Sequence, residues 1–176
     1  MTVLIAAKTK NECWMAYDSG AADGDSIFES ASPKATKNAG GGIMGASGSW
    51  FVINMLDEFR GVECDPADIS AKIVEIKDGP NSKTLKDVEV IMVWPNRPIS
   101  VVSEDGAVIR YKEPFLAIGD GASYAMGYLE GCTTIGSKEL TKAVEVAAKY
   151  SKDVIKPAHV IHCVKAVVKP KKETNQ

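Results

Sequence analysis

Only two histidines, four cysteines and 7% aromatic residues occur in the 176-residue chain, and its charges nearly cancel. Each shortage removes a class of function. His159 and His162 stand three apart in a segment that reads as extended, which points them to opposite faces, so they cannot share a metal ion. A histidine-based catalytic triad is equally disfavoured, and no metal or other cofactor is expected. Cys13, Cys64, Cys132 and Cys163 are widely scattered in a chain expected to stay in a reducing compartment, so free thiols are expected. Twenty-one Lys and Arg against 23 Asp and Glu leave a net charge of −2, with no global field to hold nucleic acid or an anionic membrane. The N-terminal stretch Met1–Lys8 lacks a basic n-region, a long apolar run and a cleavage site, so a cytoplasmic protein is expected.

What is present is ordinary globular usage: 45% apolar and 25% charged residues, with mean hydropathy near zero. The length suits one domain, here 1–168, that buries roughly 70% of the unfolded chain's surface. Residues 169–176 read as a polar tail, and Lys169-Pro170-Lys171-Lys172 as its solvated beginning rather than a binding patch.

Along the chain, Val3–Lys8 and Glu12–Tyr17 are short apolar runs joined at Thr9-Lys10-Asn11, a hairpin signature. A small-residue loop is expected over Ser19–Ser26, followed by a weaker extended stretch over Ile27–Thr36 and a strand from Ile43. Phe51, Met55 and Phe59 recur every four residues beside Val52 and Leu56, predicting a helix from Gly48 to about Gly61. Asp65-Pro66-Ala67-Asp68 opens a second helix, carried through Ile69, Ile73 and Ile76 to Asp78-Gly79-Pro80. Strands are predicted at Val88–Val93, Ile99–Val102, Ala107–Tyr111 and Phe115–Ile118, then helices at Gly121–Gly131 and from Ser137, and a last strand at His159–Val168. Strands, two helices, strands, two helices, strand is the order of antiparallel sheets stacked face to face with helix pairs outside, and it disfavours a doubly wound parallel fold.

Gly40-Gly41-Gly42 and Gly119-Asp120-Gly121 fit neither the lysine-containing phosphate loop nor a dinucleotide fingerprint. Ser47 does not meet the nucleophile-elbow pattern, which needs glycine two residues to each side, because Ser49 stands on its C-terminal side, and no suitably placed histidine supports it. Thr2 offers different chemistry: removal of Met1 leaves a hydroxyl and a free α-amine on one residue. That amine, with a reference pKa of roughly 7.7 to 8.0, is suited to accept the hydroxyl proton near neutrality.

Downstream residues complete a pattern. Thr2-Val3-Leu4-Ile5-Ala6, Met15-Ala16-Tyr17-Asp18-Ser19, the spacing from Thr2 to Lys34, Ile43–Ser49 and Leu116–Glu130 resemble proteasome β-type subunits, especially the bacterial HslV peptidase. The resemblance spans nearly the whole chain. It implies an α+β fold, a four-layer αββα sandwich of N-terminal nucleophile (Ntn) hydrolase type, and a threonine-type endopeptidase. By that resemblance Thr2 attacks the scissile carbonyl, Lys34 favours its deprotonated forms, Asp18 holds Lys34, and the Gly48 N–H stabilises the oxyanion. Asp153 matches the second family acid. Ala21, Ser32, Ala46 and Trp50 match the substrate-pocket lining and suggest a preference for apolar residues before the cleaved bond.

Two positions depart from the family. Asp120 stands where it usually has the serine of Gly-Ser-Gly, and Lys156 lies near a second accessory serine; the two could pair, or reset the Thr2 amine. The resemblance implies a homo-oligomeric ring, single or stacked in two, protein or peptide substrates, and an ATP-dependent unfoldase partner. The alternatives are an inactive or structural ring subunit that retains Met1, and a small-amide Ntn amidohydrolase.

Overall fold

The computed structural model describes residues 2–165 apart from 24–25, 31–32, 50–52 and 55. The N-terminal half carries β1 (Leu4–Lys8), β2 (Glu12–Asp18), β3 (Gly20–Asp23), β4 (Ser26–Glu29), β5 (Ala35–Lys37), β6 (Ile43–Ser47) and helix α1 (Pro66–Asp78). There follow β7 (Glu89–Val93), β8 (Ile99–Ser103), β9 (Val108–Tyr111), β10 (Phe115–Ile118), α2 (Ala122–Glu130), α3 (Ser137–Tyr150) and β11 (Ala158–Val164). Every strand pairing is antiparallel.

One sheet runs β10-β1-β2-β11 and the other β5-β6-β7-β8-β9, while β3 and β4 form a hairpin of their own. Side-chain alternation along β1 shows how the sheets stack. Leu4 and Ala6 join Met15, Ile43, Ile91 and Ile99 in the layer between the sheets. Val3, Ile5 and Ala7 face the other way, onto Ala125, Leu129, Leu140 and Val144 of α2 and α3. A strand covered on both faces has no position for a polar residue, which is why this stretch is apolar without interruption. On the far side Met44, Val90 and Met92 pack against Ile69, Ile73 and Ile76 of α1. Helices, two sheets and helices thus form the αββα sandwich the sequence led us to expect.

Local chemistry fixes the helix ends. Asp65 caps α1 by accepting from Ala67 N and Asp68 N at 2.7 and 3.3 Å, and the Asp68 carboxylate returns a bond to Asp65 N at 2.8 Å. Pro66 occupies the first helical position, where its missing N–H costs nothing. In α3 the buried residues are Leu140, Ala143, Val144 and Ala147, a stripe on one face.

The prediction of a loop over Ser19–Ser26 is corrected. Gly20–Asp23 and Ser26–Glu29 pair as β3 and β4, with Ala21 opposite Phe28. Gly-Ala-Ala-Asp has poor strand propensity, and the cross-strand ladder overrides it. The single extended stretch at Ile27–Thr36 is likewise two strands, β4 and β5. The helix predicted from Gly48 is described at Ile53 and Asn54 and continues as a 3-10 turn at Leu56–Phe59; Phe51, Val52 and Met55 lie outside the described residues, as does the tail at 169–176. No helix among the described residues is long and apolar enough to cross a membrane.

Candidate active site

β1 and β2 are neighbours in register, Leu4 opposite Tyr17, so the residues just beyond the pair, Thr2 and Asp18, meet at one end of the sandwich. Lys34 arrives from the other sheet, immediately before β5. All three are buried, with relative exposures of 2%, 0% and 2% for Thr2, Asp18 and Lys34. The Thr2 Oγ1–H donates to Asp18 Oδ1 at 2.6 Å, and Lys34 Nζ donates to Thr2 Oγ1 at 2.6 Å and to Asp18 Oδ1 at 2.7 Å.

The Asp18 carboxylate is also held by backbone. Oδ1 accepts from Val3 N at 3.0 Å, and Oδ2 from Gly20 N at 2.8 Å and Ile155 N at 3.2 Å. Five donors therefore converge on two oxygens, filling the acceptor capacity of an anion in a site with almost no solvent. Burial pushes Lys34 below its ordinary value, against the opposing attraction of Asp18. A hydroxyl contacted by both a buried ammonium and a buried carboxylate is oriented, and its developing negative charge has a cation at hydrogen-bond distance.

Two glycines shape the backbone around this triad. Gly119 has φ +86°, and a Cβ there would lie 2.5 Å from the Thr2 carbonyl oxygen and 3.0 Å from its Cγ2, so only glycine lets β10 run this close to Thr2. Gly121 N donates to that carbonyl at 3.3 Å as α2 begins. Gly48 has φ +99°, and a Cβ there would sit 2.8 Å from the Asp87 carbonyl oxygen. It lies directly after the end of β6.

Asp153 lies between Ser151 and the Val154–Ile155 segment that wraps Asp18, and its Oδ1 is buried without a hydrogen-bond partner. Asp120 is exposed just ahead of α2, and Lys156 is exposed beyond Ile155. Lys156 exerts its attraction on Glu145 of α3. Ala21 and Ala46 are buried, Ala46 within the layer under α1. Ser32 and Trp50 lie outside the described residues, and so does Met1.

Some contributors were not singled out from the sequence. Ser19 Oγ donates to Pro157 O at 2.9 Å, which leaves His159 Nε2 as the donor in the 2.7 Å contact between His159 and Ser19. This bond pins β11 to the residue following Asp18. The two histidines do face opposite ways: His159 stacks on Tyr17 and His162 on Trp14. Cys13 and Cys163, 150 residues apart in sequence, are opposite each other across β2 and β11 as free thiols, and burial together with the facing sulfur pushes Cys13 up to about 12. No group of three His, Cys, Asp or Glu among the described residues is arranged to hold a metal.

No protein-family model matches the chain. An ATP-dependent protease subunit HslV from Treponema denticola is 28% identical over 158 residues, covering 84% of this chain and 88% of the relative. Among solved structures, Thiobacillus denitrificans BPH in complex with epoxomicin superposes with a TM-score of 0.75 at 16% identity, covering 94% of this chain and 100% of that one. Eukaryotic HslV from Trypanosoma brucei gives a TM-score of 0.69 at 12% identity, covering 91% and 98%. The chain is thus similar in sequence to an HslV protease subunit across most of its length, and it shares the fold of the BPH and HslV structures.

Proposed function

We propose that the chain is a threonine-type endopeptidase subunit of a self-compartmentalising, proteasome-like ring, with Thr2 as nucleophile once Met1 is removed. The buried Thr2–Asp18–Lys34 triad is the observation that carries this reading. Burying an ammonium and a carboxylate is costly, and stability alone gives little reason to keep them around a hydroxyl.

In the reaction the Thr2 α-amine takes the hydroxyl proton as Oγ1 bonds to the scissile carbonyl carbon. Lys34 stabilises the developing charge on Oγ1, and the Gly48 N–H receives the tetrahedral oxyanion. Collapse breaks the C–N bond, the ammonium returns its proton to the leaving amine, and water then hydrolyses the threonine ester. The unpartnered Asp153 oxygen is the acceptor available to the ammonium between these steps. The resemblance assigns the pocket for an apolar side chain to Ala21, Ser32, Ala46 and Trp50; of these Ala46 is packed beneath α1, and Ser32 and Trp50 lie outside the described residues. Asp120 replaces a neutral hydroxyl with a carboxylate, which makes the amine a poorer base and slows the enzyme.

The Treponema denticola relative is named as a subunit of an ATP-dependent protease, which supports an assembly of several chains served by an ATP-driven unfoldase. The stacked and exposed Tyr124 and Tyr150 on α2 and α3 offer apolar area for contact between copies. The test is intact mass after incubation with epoxomicin, the ligand of the Thiobacillus denitrificans relative. Loss of Met1 with one adduct, absent from Thr2→Ala, is expected. Retained Met1 and no adduct would favour the inactive ring subunit, and native mass showing a strict monomer would refute the compartment.

A further inference from the structure

The residue that follows β2 gathers a second set of polar contacts beside the triad. Ser19 is only 3% exposed, and each of its polar groups has a partner. Its N–H donates to Ile155 O at 3.0 Å and its hydroxyl to Pro157 O at 2.9 Å. A hydroxyl has one hydrogen, so the 2.7 Å contact with His159 Nε2 is a bond that the imidazole donates. The Ser19 carbonyl accepts from Ser30 N at 2.8 Å. One buried residue thus grips three alternate residues, Ile155, Pro157 and His159, where the chain enters β11. The His159 ring is held in turn by its stack on Tyr17, with centroids 5.2 Å apart. By occupying the hydroxyl oxygen as a donor, His159 leaves the hydroxyl hydrogen aimed at Pro157 O.

The gripped segment is the one that wraps Asp18. Ile155 N donates to Asp18 Oδ2 at 3.2 Å, alongside Gly20 N at 2.8 Å, while Oδ1 receives Thr2 and Lys34. Asp153 lies two residues earlier, and a Cβ on Gly20 would stand 3.4 Å from its carbonyl oxygen and 3.3 Å from the Ile155 side chain. We propose that Ser19, oriented by His159, is a positioning residue of the active site: it bolts residues 153–157 against Asp18 and so fixes the rotation of the carboxylate that holds Thr2 and Lys34. This inference rests on the threonine-nucleophile reading. Both residues act through the Ile155 N–H. The sheet does not supply this link, because the pairing of β11 with β2 begins at Ala158, beyond the segment concerned.

The test compares wild type with His159→Phe, which keeps a ring for the stack on Tyr17 and loses the donor, and with His159→Gln, which restores an N–H. Ser19→Ala and the double variant Ser19→Ala/His159→Phe complete a cycle. Epoxomicin labelling followed by intact mass separates the maximal labelling rate from the concentration dependence. Amide hydrogen exchange at Ile155 is read on the same proteins. Loss of one hydrogen bond predicts Ile155 exchange faster by about five- to tenfold in His159→Phe, with labelling slower by a similar factor and half-saturation little changed. His159→Gln should recover most of both, and the double variant should fall no further than Ser19→Ala. His159 is exposed, so its two variants carry the test if Ser19→Ala does not fold. Unchanged Ile155 exchange in His159→Phe overturns the positioning role whether or not any adduct forms. Additive losses in the double variant overturn the orienting of Ser19 by His159. Equal slowing in His159→Gln and His159→Phe, together with a general fall in melting temperature, reduces His159 to a structural residue and also overturns the proposal. Absence of an adduct in wild type overturns the nucleophile reading instead, and Ile155 exchange still decides the role of Ser19.

Discussion

Replacing Lys34 by methionine separates the energetics of the triad from its chemistry. Methionine approximates the volume of the lysine stem, so the main loss is the ammonium. That loss leaves the Asp18 carboxylate at 0% exposure without its cation. Breaking a buried ion pair by removing one partner costs about 3–5 kcal/mol. Four donors remain on Asp18, from Thr2 Oγ1, Val3 N, Gly20 N and Ile155 N, which places the loss near the lower bound, about 3 kcal/mol. In a chain of this size that corresponds to a fall in Tm of about 6–12 °C, measurable by calorimetry. Labelling of Thr2 should slow by about 10²–10³, the usual effect of losing one donor to a developing anion. Asp18→Asn added to Lys34→Met removes the stranded charge, so most of the Tm should return while labelling stays slow. Lys34→Met with Tm within about 2 °C of wild type and labelling within about threefold would refute the argument.

Gly119→Ala forces a Cβ to 2.5 Å from the Thr2 carbonyl at a positive φ, so destabilisation of about 1–3 kcal/mol and a displaced nucleophile are expected. Wild-type labelling in a normally folded Gly119→Ala would count against a fixed Thr2. Asp153→Asn removes the charge from an oxygen with no partner, so thermal stability should hold or rise while labelling slows and its pH profile shifts; an unaltered profile would dissociate Asp153 from the Thr2 amine. Leu140→Ala empties a fully buried position between α3 and the sheet and should cost about 2–5 kcal/mol by denaturant unfolding, with labelling unchanged under native conditions. Lys34 gives a signed pH dependence. Burial holds it below its ordinary 10.5, so between the folded and unfolded values the unfolded chain binds more protons, and stability rises with pH by at most about 1.4 kcal/mol per unit. Denaturant titrations across that alkaline window should show the rise in wild type and not in Lys34→Met; parallel profiles would contradict it.

The αββα order was legible because it is written in short-range signals. Apolar runs flanked by turn residues mark β1, β2, β7 and β10, and Asp65-Pro66 marks the start of α1 through a cap whose donors are local. Thr2, Asp18 and Lys34 were legible by resemblance, and the hairpin alone explains the meeting of the first two, since antiparallel register returns Asp18 to the strand origin. The β3–β4 hairpin was missed because Gly-Ala-Ala-Asp carries no strand propensity of its own and is ordered by a partner strand.

Sequence by itself determined the covalent chemistry on offer: one threonine at position two, one buried-type acid and one lysine at the right spacings, and almost no histidine. Tertiary structure alone decided what those groups touch. It set the Asp18 carboxylate under five donors, left an oxygen of Asp153 without one, and brought Cys13 opposite Cys163. The reason is range. Capping, turns and periodicity act over a few residues and can be read along the chain, whereas burial and hydrogen bonding at this site join segments separated by up to 140 positions, as Ser19 and His159 are, and exist only once both sheets have packed.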